Sequence, residues 1–182
     1  LGPEGLTIDT GVYDTLVKQP MTNAKGKDGL LIKKGSASLL LTGGAYDVAK
    51  TRVDEGTLLV TNETAALATE LIVNEGAAFS LAGTAKTAKL SSLTVDGGVI
   101  RLDPGDKITV DGSVSLKDVH FSFTSLPELN SDALDVLECA GRLDDASAKA
   151  LKRALIENVA ADGAYVEISS VYDEATGKTS VG

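Results

Sequence analysis

Four acidic residues occupy similar places in a recurring phrase of this sequence and could together perform acid–base chemistry. They are Asp54, Glu55, Glu75 and Asp96, each beside a glycine corner. If the phrases stack in phase, the carboxylates line up on one edge, where two of them could serve as the acid pair of a glycan-cleaving enzyme. However, like charges on a stack are usually solvated corner residues, and basic residues that could hold uronates are sparse. The sequence therefore predicts no catalytic residue and a protein that is not an enzyme.

The only histidine, His120, would have to serve in any serine–histidine–aspartate triad. Ser115, Ser122 and Ser125 are the serines nearby, but no Gly-x-Ser-x-Gly phrase occurs. His120 lies in an alternating stretch, residues 119–123, at the parity opposite to the apolar residues. We therefore predict that His120 is an outward-facing strand residue.

Metal binding would have to rely on carboxylates, because the chain holds one histidine and one cysteine, Cys139. The possible oxygen ligands for calcium are Asp96, Asp103, Asp106 and Asp111. The Gly-Gly-x-Gly-x-Asp repeat of calcium-binding rolls is missing, so these aspartates are interpreted as turn-capping residues. We expect no metal site and no cofactor.

The overall composition limits the classes of partner. The formal net charge of -9 disfavours duplex nucleic acid and anionic membrane surfaces, which both require clustered basic residues. No run of about eighteen apolar residues occurs, so we expect no membrane insertion in this segment. Hydrophobic residues make up 43% of the chain, aromatic residues 4%, and tryptophan is absent. The core must therefore consist of Leu, Val, Ile and Ala, which suit a narrow, layered interior.

The elements that would position these residues follow from the recurring phrase: an aliphatic residue, two mostly polar residues, a glycine and alternating apolar residues. Copies begin at Ile8, Ile32, Val53, Val73 and Val95, and a shortened copy begins at Val110. A period near twenty residues is typical of a solenoid, whereas Asp-Gly corners are also compatible with hairpins in a meander or sandwich. A meander or sandwich of hairpins gives no reason for the same phrase to recur at a constant spacing. We therefore predict that Val53, Val73 and Val95 form a column.

The phrase stops in the C-terminal third, so we assign residues 1–124 to the repeats and 125–182 to a cap. Residues 134–140 predict a strand, and residues 145–161 predict a helix that Asp144 or Asp145 begins and Gly163 ends. The apolar residues that recur at helical spacing are Ala148, Leu151, Leu155 and Val159. Residues 165–171 predict another strand, and residues 173–178 predict a turn. We expect these elements to cover the end of the stack.

Residues 29–43 resemble the autotransporter-associated β-strand repeat, whose pattern is G-x-L-x-K-x-G-x-G-x-L-x-L-x-G. The matching residues are Gly29, Leu31, Lys33, Gly35, Leu39, Leu41 and Gly43. Tyr46 and residues 51–58 follow in the way that the family's tyrosine and T-x-V-x-x-G-T-L segment do. Two departures are Ala37, in place of a glycine, and Ala49-Lys50, where the family often has paired glycines.

The resemblance implies an all-β, right-handed parallel β-helix, here with a C-terminal cap that contains one helix. It also implies a structural or adhesive segment of a bacterial autotransporter-like protein, located at the cell surface or outer membrane or secreted. The expected partners are host or bacterial surface glycans or proteins, and the remainder of a longer polypeptide. Two alternatives remain open: a glycan-binding or polysaccharide-cleaving β-helix, and a tailspike-like assembly piece.

Overall fold

The computed structural model describes most of the chain. The described residues are 1–2, 4–26, 28–43, 46–61, 65–67, 69–81, 83, 86–123, 135–157 and 168–182.

The described part contains 21 short strands and one helix. In chain order the strands are β1 Leu6–Asp9, β2 Thr15–Val17, β3 Met21–Thr22, β4 Leu30–Lys34, β5 Ser38–Leu41, β6 Tyr46–Asp47, β7 Lys50–Val53, β8 Gly56–Val60, β9 Ala65–Ala66, β10 Glu70–Val73, β11 Ala77–Leu81, β12 Thr87–Leu90, β13 Ser92–Asp96, β14 Val99–Leu102, β15 Lys107–Val110, β16 Val114–Lys117, β17 His120–Phe123, β18 Leu137–Ala140, β19 Leu155–Glu157, β20 Ser170–Asp173 and β21 Lys178–Val181. The helix, α1, spans Asp145–Lys152, between β18 and β19.

The strands form the faces of a parallel β-solenoid, as predicted. The first face has the order β1-β4-β7-β10-β13-β16, the second β2-β5-β8-β11-β14-β17-β19, and the third β9-β12-β15-β18-β21-β20, with β3 and β6 paired separately. Along β1 to β18, each strand pairs in parallel with the third strand after it, with one exception in the described residues: β6 pairs with β3 and β9 pairs with β12, but β6 and β9 do not pair with each other. We call each lap of three strands a coil, so that coil 1 is β1–β3 and coil 6 is β16–β18. A meander or sandwich would have given antiparallel neighbours.

The predicted column of valines is present on the first face. Val73 pairs in register with Val53 below and Val95 above, and all three are at most 1% exposed. The second face carries a parallel column of larger apolar residues, among them Leu58, Phe79 and Ile100. Because each coil rises only about 4.8 Å, like residues stack directly on one another. Leu, Val and Ile therefore fill most of the narrow core without tryptophan. The expectation of a core of Leu, Val, Ile and Ala alone was wrong, because the chain's three phenylalanines, Phe79, Phe121 and Phe123, are also buried in it.

Two copies of the phrase were assigned to the wrong positions. The residue that pairs with Val53 is Lys33, whereas Ile32 pairs with Arg52 on the outward-facing side of the strand. Val110 lies on the third face, between Leu90 and Cys139, and the Val95 column continues to Leu116 instead. For Ile32 the cause is that a β-strand alternates its side chains, so a one-residue slip moves a residue to the opposite side. For Val110 the cause is that β15 on the third face also has, at its end, a valine followed by an Asp-Gly corner, as β13 has on the first face.

Lys33 is fully buried at the corner after β4, with 0% exposure. Its Nζ lies 3.1 Å from Thr10 Oγ1 and 2.9, 2.7 and 3.0 Å from the carbonyl oxygens of Lys34, Gly35 and Glu55. Desolvation lowers the pKa of Lys33, and the charges of Asp9 and Glu55 oppose that effect. The lysine thus satisfies corner carbonyls from coils 2 and 3 that the apolar core could not satisfy.

Gly35 completes this corner because no side chain fits there. Its φ is +82°, and a Cβ atom would lie 2.3 Å from the backbone nitrogen of Gly11 in the coil below. The lysine and the glycine of the resembling segment therefore both have a structural role in the described corner.

A second buried polar group lies inside the core. The Tyr46 hydroxyl is 2.6 Å from Thr51 Oγ1, which is 3.0 Å from Thr69 Oγ1. Burial raises the pKa of the Tyr46 hydroxyl. The three hydroxyl groups hydrogen-bond to one another, so none of them is an unpaired polar group inside the core.

The helix α1 begins as predicted but ends earlier. Asp144 is its N-cap and accepts a hydrogen bond from the Ser147 N–H at 2.6 Å, which lowers the pKa of the Asp144 carboxyl. Leu155 belongs to β19 and not to the helix, because the open edge of β17 provides backbone partners for residues 155–157. Val159 and Gly163 lie outside the described residues.

An element from the C-terminal third lies against the last strand of each face. On the first face α1 packs on β16, and the Leu116 N–H donates to Ser147 Oγ at 3.0 Å. On the second face β19 pairs with β17, and on the third β21 pairs antiparallel with β18.

Of the predicted strand at 134–140, residues 137–140 form β18, whereas residues 135–136 lie outside it. The predicted strand at 165–171 was placed too early, because the strand present in the described residues is β20, and residues 168–169 precede it. The predicted turn at 173–178 joins the β20–β21 hairpin. Residue 134 and residues 165–167 lie outside the described part of the chain. The proposed boundary between 124 and 125 also falls there, so that division stays a prediction.

Candidate functional site

The acidic residues singled out in the sequence share one corner of the solenoid, between the first and second faces. The residues that directly follow the members of the valine column in the sequence form a second stacked row. From coil 1 to coil 6 this row consists of Asp9, Lys34, Asp54, Asn74, Asp96 and Lys117. We call this row the corner ladder. Acidic residues in it alternate with lysines or an asparagine, so the row is not a column of like charges.

Neighbouring side chains already engage two of its aspartates. Asp54 accepts from Arg52 at 2.8 and 3.1 Å and from Asn74 Nδ2 at 2.8 Å. Asp96 accepts from Lys117 Nζ at 2.7 Å. Because Asn74 separates them, Asp54 and Asp96 lie two coil steps apart, about 10 Å at the backbone. The ladder therefore stabilises the stacking of coils, and its aspartates are not a free acid pair.

An open groove of about 650 Å³ runs along this corner. We call it the corner groove. Its ionisable residues are Glu75, Asp96, Arg101, Lys117, Asp118 and His120. It extends from Ser36 in coil 2 to His120 in coil 6, so it crosses four coil steps, or about 19 Å.

The floor of the corner groove is made of small residues, including Gly56, Ala77 and Ala78. Coil 4 has one more residue at its corner than coil 5, because Val73 pairs with Val95 while Ala78 pairs with Val99. The extra residue is accommodated by a turn in which the Ala77 N–H donates to the Asn74 carbonyl at 3.0 Å. Glu75 therefore projects from the corner and forms one wall of the groove.

Arg101 extends along the groove from coil 5 to coil 3. Its Nη1 donates to Thr57 Oγ1 at 3.1 Å, so the side chain must pass over coil 4, where the small and 3%-exposed Ala78 leaves room. Arg52 and Arg142 are ion-paired with acids, whereas Arg101 has no acidic partner among the described residues. Its guanidinium is held in place with donors still available to a ligand.

His120 faces outward on β17, as predicted, and pairs in register with Val99. It is half-buried in the groove, and its side chain makes no hydrogen bond within the described ranges. Ser122 is a buried residue of the same strand, and Ser115 lies on the first face. Neither serine lines the groove. Ser125 lies outside the described residues.

Lys117 is surrounded by acidic residues at the C-terminal end of the groove. The hydrogen bond that Lys117 donates to Asp96 raises the pKa of Lys117, and the charges of Asp118 and Glu75 add to that effect. Asp118 has a φ of 46°, a left-handed conformation that aspartate tolerates better than most residues. This end of the groove is therefore rich in hydrogen-bond acceptors.

The other aspartates considered for calcium act in turns. Asp106 accepts from the Asp103 N–H at 2.8 Å and pairs with Lys86 at 3.1 Å, so its carboxylate is already satisfied. Asp111 is exposed on the third face. Among the described residues, no group of three or more His, Cys, Asp or Glu side chains is arranged to hold a metal ion.

The sequence could not have revealed the corner groove as a site. Arg101 and Thr57 are 44 residues apart, and Glu75 projects because coil 4 has one more corner residue than its neighbours, coils 3 and 5. The only available signal was that Glu75 and Asp96 lie at the same corner of the repeat, one residue apart in phase.

Comparisons with known proteins give no match to a family model, a curated protein or a solved structure. The likeness to the autotransporter-associated repeat therefore stays a prediction. Within the described ranges, no helix has the length and apolar character needed to cross a membrane.

Proposed function

We propose that this chain is a structural and adhesive β-helix segment of a bacterial cell-surface or secreted protein. The observation that carries the proposal is the in-register stack of coils, whose C-terminal strands are each covered by a further element. Such a stack is stiff along its axis because every coil is hydrogen-bonded to the next. It suits a protein that must hold a binding surface away from the cell.

The ion pairs between coils support this scaffold role. Lys50 pairs with Glu70 in the next coil at 2.9 Å, and Lys107 pairs with Glu138 in the next coil at 2.8 Å. These ion pairs connect neighbouring coils along the axis of the stack.

Glycan binding is a second candidate function, and the corner groove favours it. The groove is long and open, so a chain molecule can lie along it without having to be threaded. Its lining combines carboxylates, cations and the hydroxyls of Ser36 and Thr57, which suit sugar hydroxyls. Cleavage is less well supported, because Asp54 and Asp96 of the predicted acid row are already engaged by Arg52, Asn74 and Lys117.

The surface role can be tested with antibodies raised against this chain. We expect them to label intact cells of the bacterium that makes the protein, and surface-exposed protease to remove the label. Antibodies against a cytoplasmic enzyme should label only permeabilised cells. If the antigen were also detected only after permeabilisation, and were absent from the medium, the proposed location would be wrong.

The adhesive part can be tested with beads coated with the purified chain. We expect these beads to adhere to glycan-bearing surfaces more than beads coated with the chain after heat unfolding. Equal retention of the two would show that the folded stack has no adhesive role.

A further inference from the structure

We propose that the corner groove binds a saccharide that carries carboxylates at intervals, with Arg101 holding one carboxylate. This inference rests on the glycan-binding role proposed above and specifies its ligand. Its basis is the position of the Arg101 guanidinium, held by Thr57 in a groove where the described part of the chain gives it no acidic partner.

The fixed guanidinium is suited to a carboxylate. One of its nitrogens, Nη1, donates to Thr57 Oγ1 at 3.1 Å, which leaves the other side of the planar group able to make paired bonds. A carboxylate accepts two parallel N–H bonds from such a group, and this geometry is stronger than a single neutral hydrogen bond. Because the side chain already lies over Ala78, it loses little conformational freedom when a ligand binds.

The remaining charges of the groove exclude a dense polyanion. Glu75, Asp96 and Asp118 face a ligand together with Lys117 and His120, and Lys117 is already paired with Asp96. A ligand with a negative charge on every unit would be repelled along most of the groove. Neutral sugar units, by contrast, can donate their hydroxyls to these carboxylates.

The groove geometry favours a chain over a single sugar. It is open and crosses about 19 Å, and its small-residue floor lies between the Glu75 wall and Arg101. Together these features indicate an oligosaccharide in which acidic units alternate with neutral ones. Hyaluronan, which alternates uronate and neutral amino sugar, is a suitable probe of this chemistry.

The test measures binding of a hyaluronan hexasaccharide to the whole chain by calorimetry at low salt. We expect the carboxyl-reduced hexasaccharide and Arg101→Gln each to weaken binding by about tenfold to a hundredfold, because a charged hydrogen-bonded pair is lost. Thr57→Val should weaken binding by less, since it releases the guanidinium without removing it. Arg142→Gln, at an exposed arginine stacked on Tyr172, should bind as the unchanged chain does.

Two further comparisons distinguish loss of the guanidinium that binds the carboxylate from loss of the fold. Circular dichroism and the thermal midpoint should be the same for Arg101→Gln and Arg142→Gln. Arg101→Lys keeps a charge and should restore part of the affinity, which a purely structural effect would not produce.

The outcomes also separate this inference from the glycan-binding role. If the reduced and the acidic saccharide bound equally well, and Arg101→Gln changed neither, the carboxylate anchor would be wrong and glycan binding would stand. If neither saccharide bound, both would be wrong. Tighter binding of a heparin hexasaccharide than of hyaluronan would overturn the alternating-charge ligand.

Discussion

At the scale of single residues, the most unusual feature is a charged lysine inside an apolar column. In the other described coils the Lys33 position holds Ile8, Val53, Val73, Val95 or Leu116. A buried charge is costly unless its bonds are made, and Lys33 has four oxygens within 3.1 Å. The lysine is tolerated because it donates to three corner carbonyls, of which only that of Lys34 is seen to accept also from Thr10.

Replacing this lysine should therefore destabilise the protein although the substitute suits the column. Lys33→Met leaves up to three buried carbonyls without that donor, against some relief from no longer burying a charge. We expect a net loss of about 2–4 kcal/mol in the free energy of unfolding, measured by urea denaturation. Lys89→Met, at an exposed lysine of β12 outside the corner ladder, should change it by less than about 0.5 kcal/mol. A Lys33→Met variant as stable as the unchanged chain would contradict this account.

At the scale of elements, Glu138 joins three strands of the third face. It accepts from Lys107 on β15 at 2.8 Å and from Lys178 on β21 at 2.6 Å. These hydrogen bonds lower the pKa of Glu138 from 4.5 to about 2, more than its partial burial raises it. The carboxylate thus fastens the C-terminal hairpin to the parallel stack.

This arrangement predicts a pH-dependent contribution to stability. Because the pKa is lower in the folded state, the contribution is fully present above about pH 4.5 and is lost as the pH falls toward 2. After allowance for the 22% exposure of the side chain, we expect Glu138→Gln to cost about 1–2 kcal/mol at pH 7. The difference between variant and unchanged chain, measured by denaturation, should shrink at pH 3. A difference that is independent of pH would show that the charge has no part in it.

Glu70 provides a matched control for that experiment. It pairs with Lys50 at 2.9 Å, but the two side chains are 39% and 44% exposed. Glu70→Gln should therefore cost less than about 0.5 kcal/mol at either pH.

At the scale of elements, part of the fold could be predicted from the sequence and part could not. The columns were predictable because Val53, Val73 and Val95 repeat at one phase, and stacking requires like residues at like positions. The register of β4 was not predictable. The alternation of side chains alone cannot show that Lys33 faces inward when the adjacent Ile32 is apolar and suits the buried position better. The end of α1 was missed because helical spacing in residues 145–161 competes with an open strand edge that only the fold provides. The groove was missed because it depends on the reach of Arg101 across coil 4.

At the scale of the whole molecule, the coverage of the C-terminal end decides whether the stack remains a single unit. A solenoid without a cover presents a row of unpaired backbone groups to any other chain. On the third face this cover is β21, whose Val181 is fully buried and accepts from the Val136 N–H at 2.7 Å. The hairpin β20–β21 should therefore act as a stop against end-to-end association.

Removing that hairpin tests this idea directly. A chain ending at residue 167 exposes the edge of β18, from Leu137 to Ala140, to solvent and to other molecules. We expect it to associate with increasing concentration, as measured by light scattering after size exclusion, under conditions where the unchanged chain does not. Tyr172→Ser, which removes the ring beneath Arg142 but keeps the strand pairing, is the control and should behave as the full chain does. If the shortened chain kept its circular dichroism spectrum and the oligomeric state of the full chain at every concentration, the hairpin would not be a stop. The end of the stack would then have to be protected by other residues of the C-terminal third.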